Sequence, residues 1–265
     1  GPWKCMAVLG VRRSHWESLD CPLTHQDLSL LNLTPMLKSN KEQVAQQLSK
    51  TIEKYGDPLA ILSDEGAELV SGVKLLNSQR DSKKSITHIH DIKHKAALLL
   101  RKELAKTGDF DAFVKAMTST RLKVSLTSLA FLNPPRLRNK ARFMNLDHIV
   151  QWASKVLKFM TEPTKSSSSI GCKVKELRAK VGWITQFRSS IERWTELLQV
   201  TNLVQDYIRR NGYHRSATIQ LKRMLASQSQ SPHTRELLKN LLAFTDQESK
   251  KLKTKKSMLG HTEVL

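Results

Sequence analysis

A short apolar run, followed at once by an acid and a glycine, constrains the fold of this chain more than any other segment. Residues 59–62 have the composition of a buried strand, and Asp64 follows at the end of this run. Gly66 gives the chain freedom to turn, and apolar residues from Leu69 onward recur at helical spacing. The segment therefore predicts a strand, a turn and a helix, with the Asp64 carboxylate at the strand tip.

Two interpretations of Asp64 follow from this pattern. A carboxylate at a strand tip suits Mg²⁺, which binds one or two carboxylates and keeps its other positions for water and phosphate oxygens. Asp64 would then be one acid of a two-metal phosphoryl-transfer site. Alternatively, Ser63 or Asp64 simply caps the helix that follows. The local pattern alone favours the cap, so the decision depends on the rest of the chain.

The order of the predicted elements indicates an α/β protein in which helices dominate. In the first hundred residues the pattern is strand, strand, helix, strand, helix, strand, which is typical of α/β folds. Beyond about residue 92, helical periodicity prevails almost to the end of the chain. The predicted strands are 4–11, 28–33, 59–62 and 85–92, and the predicted helices are 41–55, 69–76, 93–104, 110–117, 145–160, 172–210, 217–226 and 234–248.

The distribution of charge points to a polyanionic partner. The 265 residues carry a formal net charge of +20. Residues 1–90 hold 11 Lys and Arg against 10 Asp and Glu, whereas residues 91–265 hold 33 against 14. Nucleic acid is the leading candidate for the polyanion. A membrane is the weaker candidate, because no apolar stretch approaches spanning length.

The cysteines and the N-terminus favour a reducing intracellular compartment. Cys5, Cys21 and Cys172 are widely separated and lack the spacing of a zinc site. We expect them to be unpaired thiols in the cytoplasm, and we expect no signal peptide at the N-terminus. With nucleic acid as the partner, these features predict a cytoplasmic protein associated with the nucleoid.

A second group of polar residues accompanies the last predicted strand. His88 and His90 alternate and so share one face of the strand, while Asp91 and His94 follow at its end and in the next helical turn. Neighbouring parallel strands bring their carboxyl ends together, which would place Asp91 and His94 beside Asp64. The alternatives are a capping Asp91 with solvent-facing histidines, and a weakly supported zinc site without a third ligand at a known spacing.

Basic residues interleaved with aromatic ones are candidates for contacts with DNA phosphates. Any single basic run is more often a solvated helix face, but few acids neutralise these runs and their sum favours nucleic acid. Glu192, with an arginine one turn earlier, is a candidate metal ligand or else an ordinary surface partner of arginine. The predicted DNA-binding residues are Arg136, Arg138, Lys140, Arg142, Lys173, Lys175 and Arg178.

Residues 61–73 (ILSDEGAELVSGV) and 90–104 (HDIKHKAALLLRKEL), followed by a long helical stretch, resemble insertion-sequence DDE transposases, which have a ribonuclease H-like core. The resemblance makes Asp64 the second catalytic Asp, and Asp91 and His94 a supporting D-x-x-H element. It implies two Mg²⁺ or Mn²⁺ ions, double-stranded DNA (transposon ends and target) as the substrate, and allows a homo-oligomer. The final catalytic acid would be Glu263, with Glu192 as the internal alternative.

The same resemblance sets the expected domains. It implies a partial ribonuclease H-like core, a mixed sheet with helices, in residues 1–99, with its first strand and first catalytic Asp preceding Gly1. A basic all-α insertion would occupy residues 100–249. Residues 250–265 would form a basic connector and the start of a helix returning to the core. The predicted function is metal-dependent DNA strand cleavage and transfer, by this chain or by a longer protein containing it.

Two other classes of protein remain open from the sequence. One is a catalytically inactive, transposase-derived DNA-binding protein. The other is a helical interaction protein whose charge serves solubility alone. A second carboxylate close to Asp64 would favour the enzyme over the inactive DNA-binding protein. Salt-dependent binding of duplex DNA would exclude the helical interaction protein.

Overall fold

The structure is a computed structural model that describes residues 4–19, 22–136, 146–161, 174–226 and 231–251. Helices dominate it, and the strands of the described ranges form two sheets of two strands each. The chain divides into two compact units. The α/β unit takes residues from 1–95, from 204–229 and from 240 onward, and the helical unit takes residues from 96–203 and 230–239.

The α/β unit begins with alternating strands and helices, as the sequence predicts, and ends with helical segments from the C-terminal half. Its first elements are β1 (Lys4–Gly10), α1 (Arg13–Glu17), β2 (Ser29–Met36), α2 (Lys41–Tyr55), β3 (Ala60–Ser63), α3 (Ala67–Ser78), β4 (Thr87–His90) and the first turn of α4 (Ile92–Ala105). The end of α8 (Arg188–Asn211), all of α9 (Arg215–Ala226) and the end of α10 (Pro232–Lys251) complete it.

The two sheets differ in strand direction. Strands β1 and β2 are antiparallel, with Cys5 opposite Pro35. Strands β3 and β4 are parallel, with Ser63 opposite His90. The sequence predicts that β2 ends before Pro35, but the strand continues to Met36. Among the described residues, β2 pairs with β1 alone and is therefore an edge strand. A proline, which lacks a backbone N–H, is tolerated in an edge strand.

Helices α2 and α3 build the core of the α/β unit. Asn40 caps α2 by accepting a hydrogen bond from the Gln43 amide at 2.8 Å. The buried faces of the two helices meet closely, because Gly72 in α3 has no side chain to hold Val44 of α2 away. The shared core consists of Val44, Ala45, Leu48, Val73, Leu76 and Ile86, with Met6 and Val8 of β1 and Ile61 of β3 packed against it.

The helical unit has an aromatic core. Its helices are most of α4, α5 (Asp109–Val124), α6 (Leu146–Thr161), α7 (Val174–Val181), the first part of α8 and the first turns of α10. Phe113 is fully buried, and its ring lies 5.1 Å from that of Trp194 and 5.4 Å from that of Trp183. The tryptophans of this unit therefore serve packing.

The helical half differs from the sequence-based expectations in two places. The helix predicted over 172–210 is interrupted by a 3₁₀ segment, Gly182–Phe187. Gly182, at the start of this segment, is a weak helix former, and the Thr185 hydroxyl donates to the Gly182 carbonyl oxygen at 2.8 Å. The predicted domain boundaries at 99 and 249 also differ from the observed division, because residues of α8, α9 and α10 pack with the α/β unit.

Candidate metal site at the strand ends

The parallel pair β3–β4 carries two acids past its carboxyl ends. Ser63 and His90 are the last paired residues, and the Asp91 amide still donates to the Ser63 carbonyl oxygen at 2.9 Å. Asp64 and Asp91 therefore follow adjoining strand ends, as the sequence predicts. Two carboxylates on one edge are a suitable start for a divalent cation.

Asp64 is exposed and sits in a tight turn rather than at the cap position of α3. Its Oδ1 atom accepts a hydrogen bond from the Gly66 amide at 2.9 Å, and the cap position itself is Gly66, which has no side chain to offer. The described residues form no further hydrogen bond with this carboxylate. Asp64 is thus held in one orientation while keeping its second oxygen available.

Gly66 is needed here for a reason other than the predicted freedom to turn. Its φ of −57° is one that any residue adopts. A Cβ atom at this position would lie only 2.8 Å from Asp64 Oδ1. The glycine therefore provides space for the Asp64 carboxylate.

Ser63 and His88 form hydrogen bonds that support the same turn. The Ser63 hydroxyl donates to the Asp64 carbonyl oxygen at 2.8 Å, and His88 Nε2 lies 2.8 Å from the Ser63 hydroxyl oxygen. Burial lowers the pKa of His88 to about 4, and the electrostatic effect of the neighbouring His90 acts in the same direction. His88 is therefore neutral near pH 7 and serves the turn as a hydrogen-bonding group.

Asp91 has the capping role considered for it, at the end of β4. Its Oδ1 atom accepts from the Lys93 amide at 2.9 Å, so it caps α4 while lying at the strand end. His94 is half-buried in the first turn of the same helix. In the same turn, Lys95 donates to both oxygens of Glu65, at 2.9 and 3.0 Å. The carboxylate of Glu65 is therefore already paired.

The histidines of β4 lie on one face, as their alternation predicts. The rings of His88 and His90 are 4.7 Å apart, edge to face. Among the described residues, no group of three or more His, Cys, Asp or Glu side chains is arranged to hold a metal ion. The described chain thus contains an acidic pair at most, and neither a complete acidic triad nor a zinc site.

Neither of the two predicted final acids lies within the described part of the α/β unit. Glu263 lies outside the described residues. Glu192 is exposed on α8 in the helical unit, where it lines a groove of about 460 Å³ with Arg188 and Lys158. The described residues form no ion pair with Glu192, so the alternative of a surface pair with arginine is not observed among them.

The predicted DNA-binding residues fall partly within the described chain. Arg136, Lys175 and Arg178 are exposed, as a phosphate contact requires. Lys175 and Arg178 lie one turn apart on α7. The others, Arg138, Lys140, Arg142 and Lys173, lie outside the described residues.

Glu248 is a functional candidate that the sequence analysis missed. It lies on α10, its side chain is 1% exposed, and it accepts a hydrogen bond from the His90 amide at 3.0 Å. The signal was present in the helical pattern, since Glu248 falls on the buried stripe of Leu241 and Phe244. A charged side chain on a buried helix face is rarely found without a partner.

The chain was compared with known protein families and with curated proteins. The chain matches no known family model and no curated protein. Within the described ranges, none of the helices is both long and apolar enough to cross a membrane.

Proposed function

We propose that this chain is a DDE-type transposase, or part of one, that cleaves and joins DNA with divalent cations. The observation that carries the proposal is that two acids, the exposed Asp64 and Asp91, directly follow the paired ends of two adjoining strands. The α/β unit would then be a partial ribonuclease H-like core. Its two sheets share one hydrophobic core with α2 and α3, which is consistent with that assignment.

The chemistry of the acid pair fits Mg²⁺ or Mn²⁺. Both are oxygen-seeking cations that bind one or two carboxylates and leave positions for water and phosphate. Asp64 has an oxygen without a partner among the described residues, and Asp91 presents its carboxylate at the neighbouring strand end. When bound in pairs, such ions activate a water or a 3′-hydroxyl group and stabilise the leaving oxygen. Asp64 would contribute a ligand whose direction is fixed by the Gly66 amide.

The basic surface of the helical unit would hold the DNA backbone. Lys175 and Arg178 project from α7 into solvent, where they can neutralise phosphates and release counterions. The net charge of +20 supports the same role. In a cell, such a protein would be cytoplasmic and associated with the nucleoid, and its substrate would be duplex DNA at transposon ends and targets.

A matched pair of substitutions tests the proposed metal site. Asp64→Asn removes the charge of the candidate ligand and keeps its shape. Asp81→Asn is the control, because Asp81 is also exposed and also accepts a hydrogen bond from the amide two residues further on, at 3.0 Å. Mn²⁺ binding is measured by electron paramagnetic resonance. We expect Asp64→Asn to lose most of the binding and Asp81→Asn to keep it.

A second candidate function is a DNA-binding protein derived from a transposase but without catalysis. The absence of a three-ligand group from the described residues favours it. Duplex binding, measured by fluorescence anisotropy at rising salt, separates the readings. Salt-dependent DNA binding without Mn²⁺ binding supports this second candidate, Mn²⁺ binding that depends on Asp64 supports the enzyme, and salt-insensitive weak binding overturns both.

A further inference from the structure

Glu248 is a buried carboxylate with partners supplied by distant parts of the chain. Its side chain is 1% exposed, so the loss of hydration must be offset by hydrogen bonds and by an opposite charge. Lys251, one turn further along α10, approaches its two oxygens at 2.7 and 2.9 Å. This pair alone would satisfy the charge of Glu248.

Glu248 makes two additional contacts, and both reach the last residue of β4. Its Oε2 atom accepts from the His90 amide at 3.0 Å, and its Oε1 atom lies 3.3 Å from His90 Nδ1. Hydrogen bonds from a main-chain N–H to a carboxylate are among the stronger ones in proteins. The residue directly before Asp91 is thus held by a side chain 158 positions away in the sequence.

Tyr213 holds the same residue from its other side. The Tyr213 hydroxyl is buried and donates to the His90 carbonyl oxygen at 3.0 Å. Burial raises the pKa of Tyr213 well above its ordinary value, and the charges of Asp91 and Glu248 raise it further. Both backbone polar groups of His90 are therefore bound to side chains from the C-terminal half of the chain. We call Tyr213, Glu248 and Lys251 the His90 clamp.

We infer that Glu248 is a positioning residue for Asp91, through the backbone of His90. The inference rests on the proposed function, since it treats Asp91 as part of the metal site. The Asp91 amide is itself fixed by the Ser63 carbonyl oxygen, so the position of the peptide between His90 and Asp91 decides where the Asp91 carboxylate lies relative to Asp64. Residues behind the ligands of a metal typically change its affinity about 10- to 100-fold when they are replaced.

The test compares two buried glutamates of the same kind. Glu248→Gln keeps the shape of the side chain and removes its charge. Glu103→Gln is the control, because Glu103 is 3% exposed and is bound by a lysine three residues further on, Lys106, at 2.7 and 2.8 Å. We expect Glu248→Gln to weaken Mn²⁺ binding about 10-fold and Glu103→Gln to leave it unchanged. Equal Mn²⁺ affinity in Glu248→Gln and the wild type would overturn the inference.

A spectroscopic measurement separates this inference from the proposed function. In ¹H–¹⁵N spectra of the metal-free protein, we expect Glu248→Gln to shift the amide resonances of His90 and Asp91, and Glu103→Gln to leave both in place. A wild-type chain that binds no Mn²⁺ would refute the proposed metal site, whereas unmoved His90 and Asp91 resonances would refute the role of Glu248. Should Glu248→Gln fail to fold, Tyr213→Phe removes only the bond to the His90 carbonyl oxygen, and the same shifts and loss of Mn²⁺ affinity are expected.

Discussion

Replacing Gly66 by alanine should damage the candidate metal site while leaving the fold nearly intact. The added Cβ atom would lie 2.8 Å from Asp64 Oδ1, whereas ordinary contacts begin at 3.4 Å. The carboxylate must therefore move by about 0.6 Å or rotate away. Functional geometries tolerate errors of about 0.5 Å, so we expect Mn²⁺ affinity to fall at least about 10-fold.

The cost in stability should be small for the same substitution. The hydrogen bond from the Gly66 amide to Asp64 is exposed, and its loss costs about 0.5–1.5 kcal/mol at most. Alanine reduces the freedom of the unfolded chain, which contributes about 0.4–1 kcal/mol in the opposite direction at a compatible φ. The free energy of unfolding should therefore change by about 1 kcal/mol or less.

Gly72→Ala, in the helix that Gly66 precedes, provides the opposite control. Its Cβ atom would lie 2.4 Å from Val44 Cγ1 and 3.2 Å from the Lys41 carbonyl oxygen. Overpacking of this kind costs about 1–3 kcal/mol, which the better helix propensity of alanine offsets by about 1 kcal/mol. We expect lower stability in urea with unchanged Mn²⁺ affinity. Wild-type Mn²⁺ binding by Gly66→Ala, or equal loss of binding in both variants, would refute the reasoning about Asp64.

Three further predictions concern pH, the aromatic core and DNA. The pKa of His88 is lowered from 6.5 to about 4 in the folded protein. As the pH falls, the unfolded state therefore binds the proton first. The stability that neutral His88 contributes to the folded state is complete above pH 6.5 and is lost as the pH falls toward 4. Discounted for the partial exposure of His88, this loss in the free energy of unfolding should amount to about 1–3 kcal/mol, measured in urea. His88→Gln should flatten the plot of unfolding free energy against pH between pH 6.5 and 4. A plot parallel to that of the wild type would contradict the role given to His88. Phe113→Ala should cost about 3–5 kcal/mol, whereas Phe131→Ala, at a side chain that is half exposed, should cost about 1 kcal/mol or less; equal losses in thermal denaturation would show that the aromatic cluster is misjudged. Replacing Lys175 and Arg178 together by alanine should reduce the slope of log K against log salt by about 2, and the same change at Lys50 and Lys54, exposed on α2, should leave the slope unaltered; equal slopes in the two double variants would remove α7 from the DNA interface.

Local patterns in the sequence predicted the elements that frame the site. The apolar spacing of residues 41–55 gave helix α2 with its bounds unchanged. The predicted bounds of β3 differ from the observed ones by one residue at each end, and those of β4 differ by two. Both follow from short-range rules, because the period of apolar residues separates helix from strand. The placement of Asp64 and Asp91 after adjoining strand ends followed from the rule that parallel strands align their carboxyl ends.

Long-range contacts escaped the same reasoning. Nothing near Glu248 in the sequence announces that its carboxylate binds the His90 amide, because that contact depends on how α10 packs in three dimensions. The space reserved by Gly66 is likewise visible only once Asp64 has folded back onto the amide two residues later. The 3₁₀ interruption in the predicted helix over 172–210 lies within a strong helical period, and only the weak helix former Gly182 marks it in the sequence.

The path of the chain through its two units limits how this protein can be taken apart. The boundaries between the units fall at 95/96, 203/204, 229/230 and 239/240, and three of them lie inside α4, α8 and α10. A gene fragment that encodes either unit would therefore begin or end in the middle of a helix. Neither unit can therefore be encoded by one uninterrupted stretch of the gene.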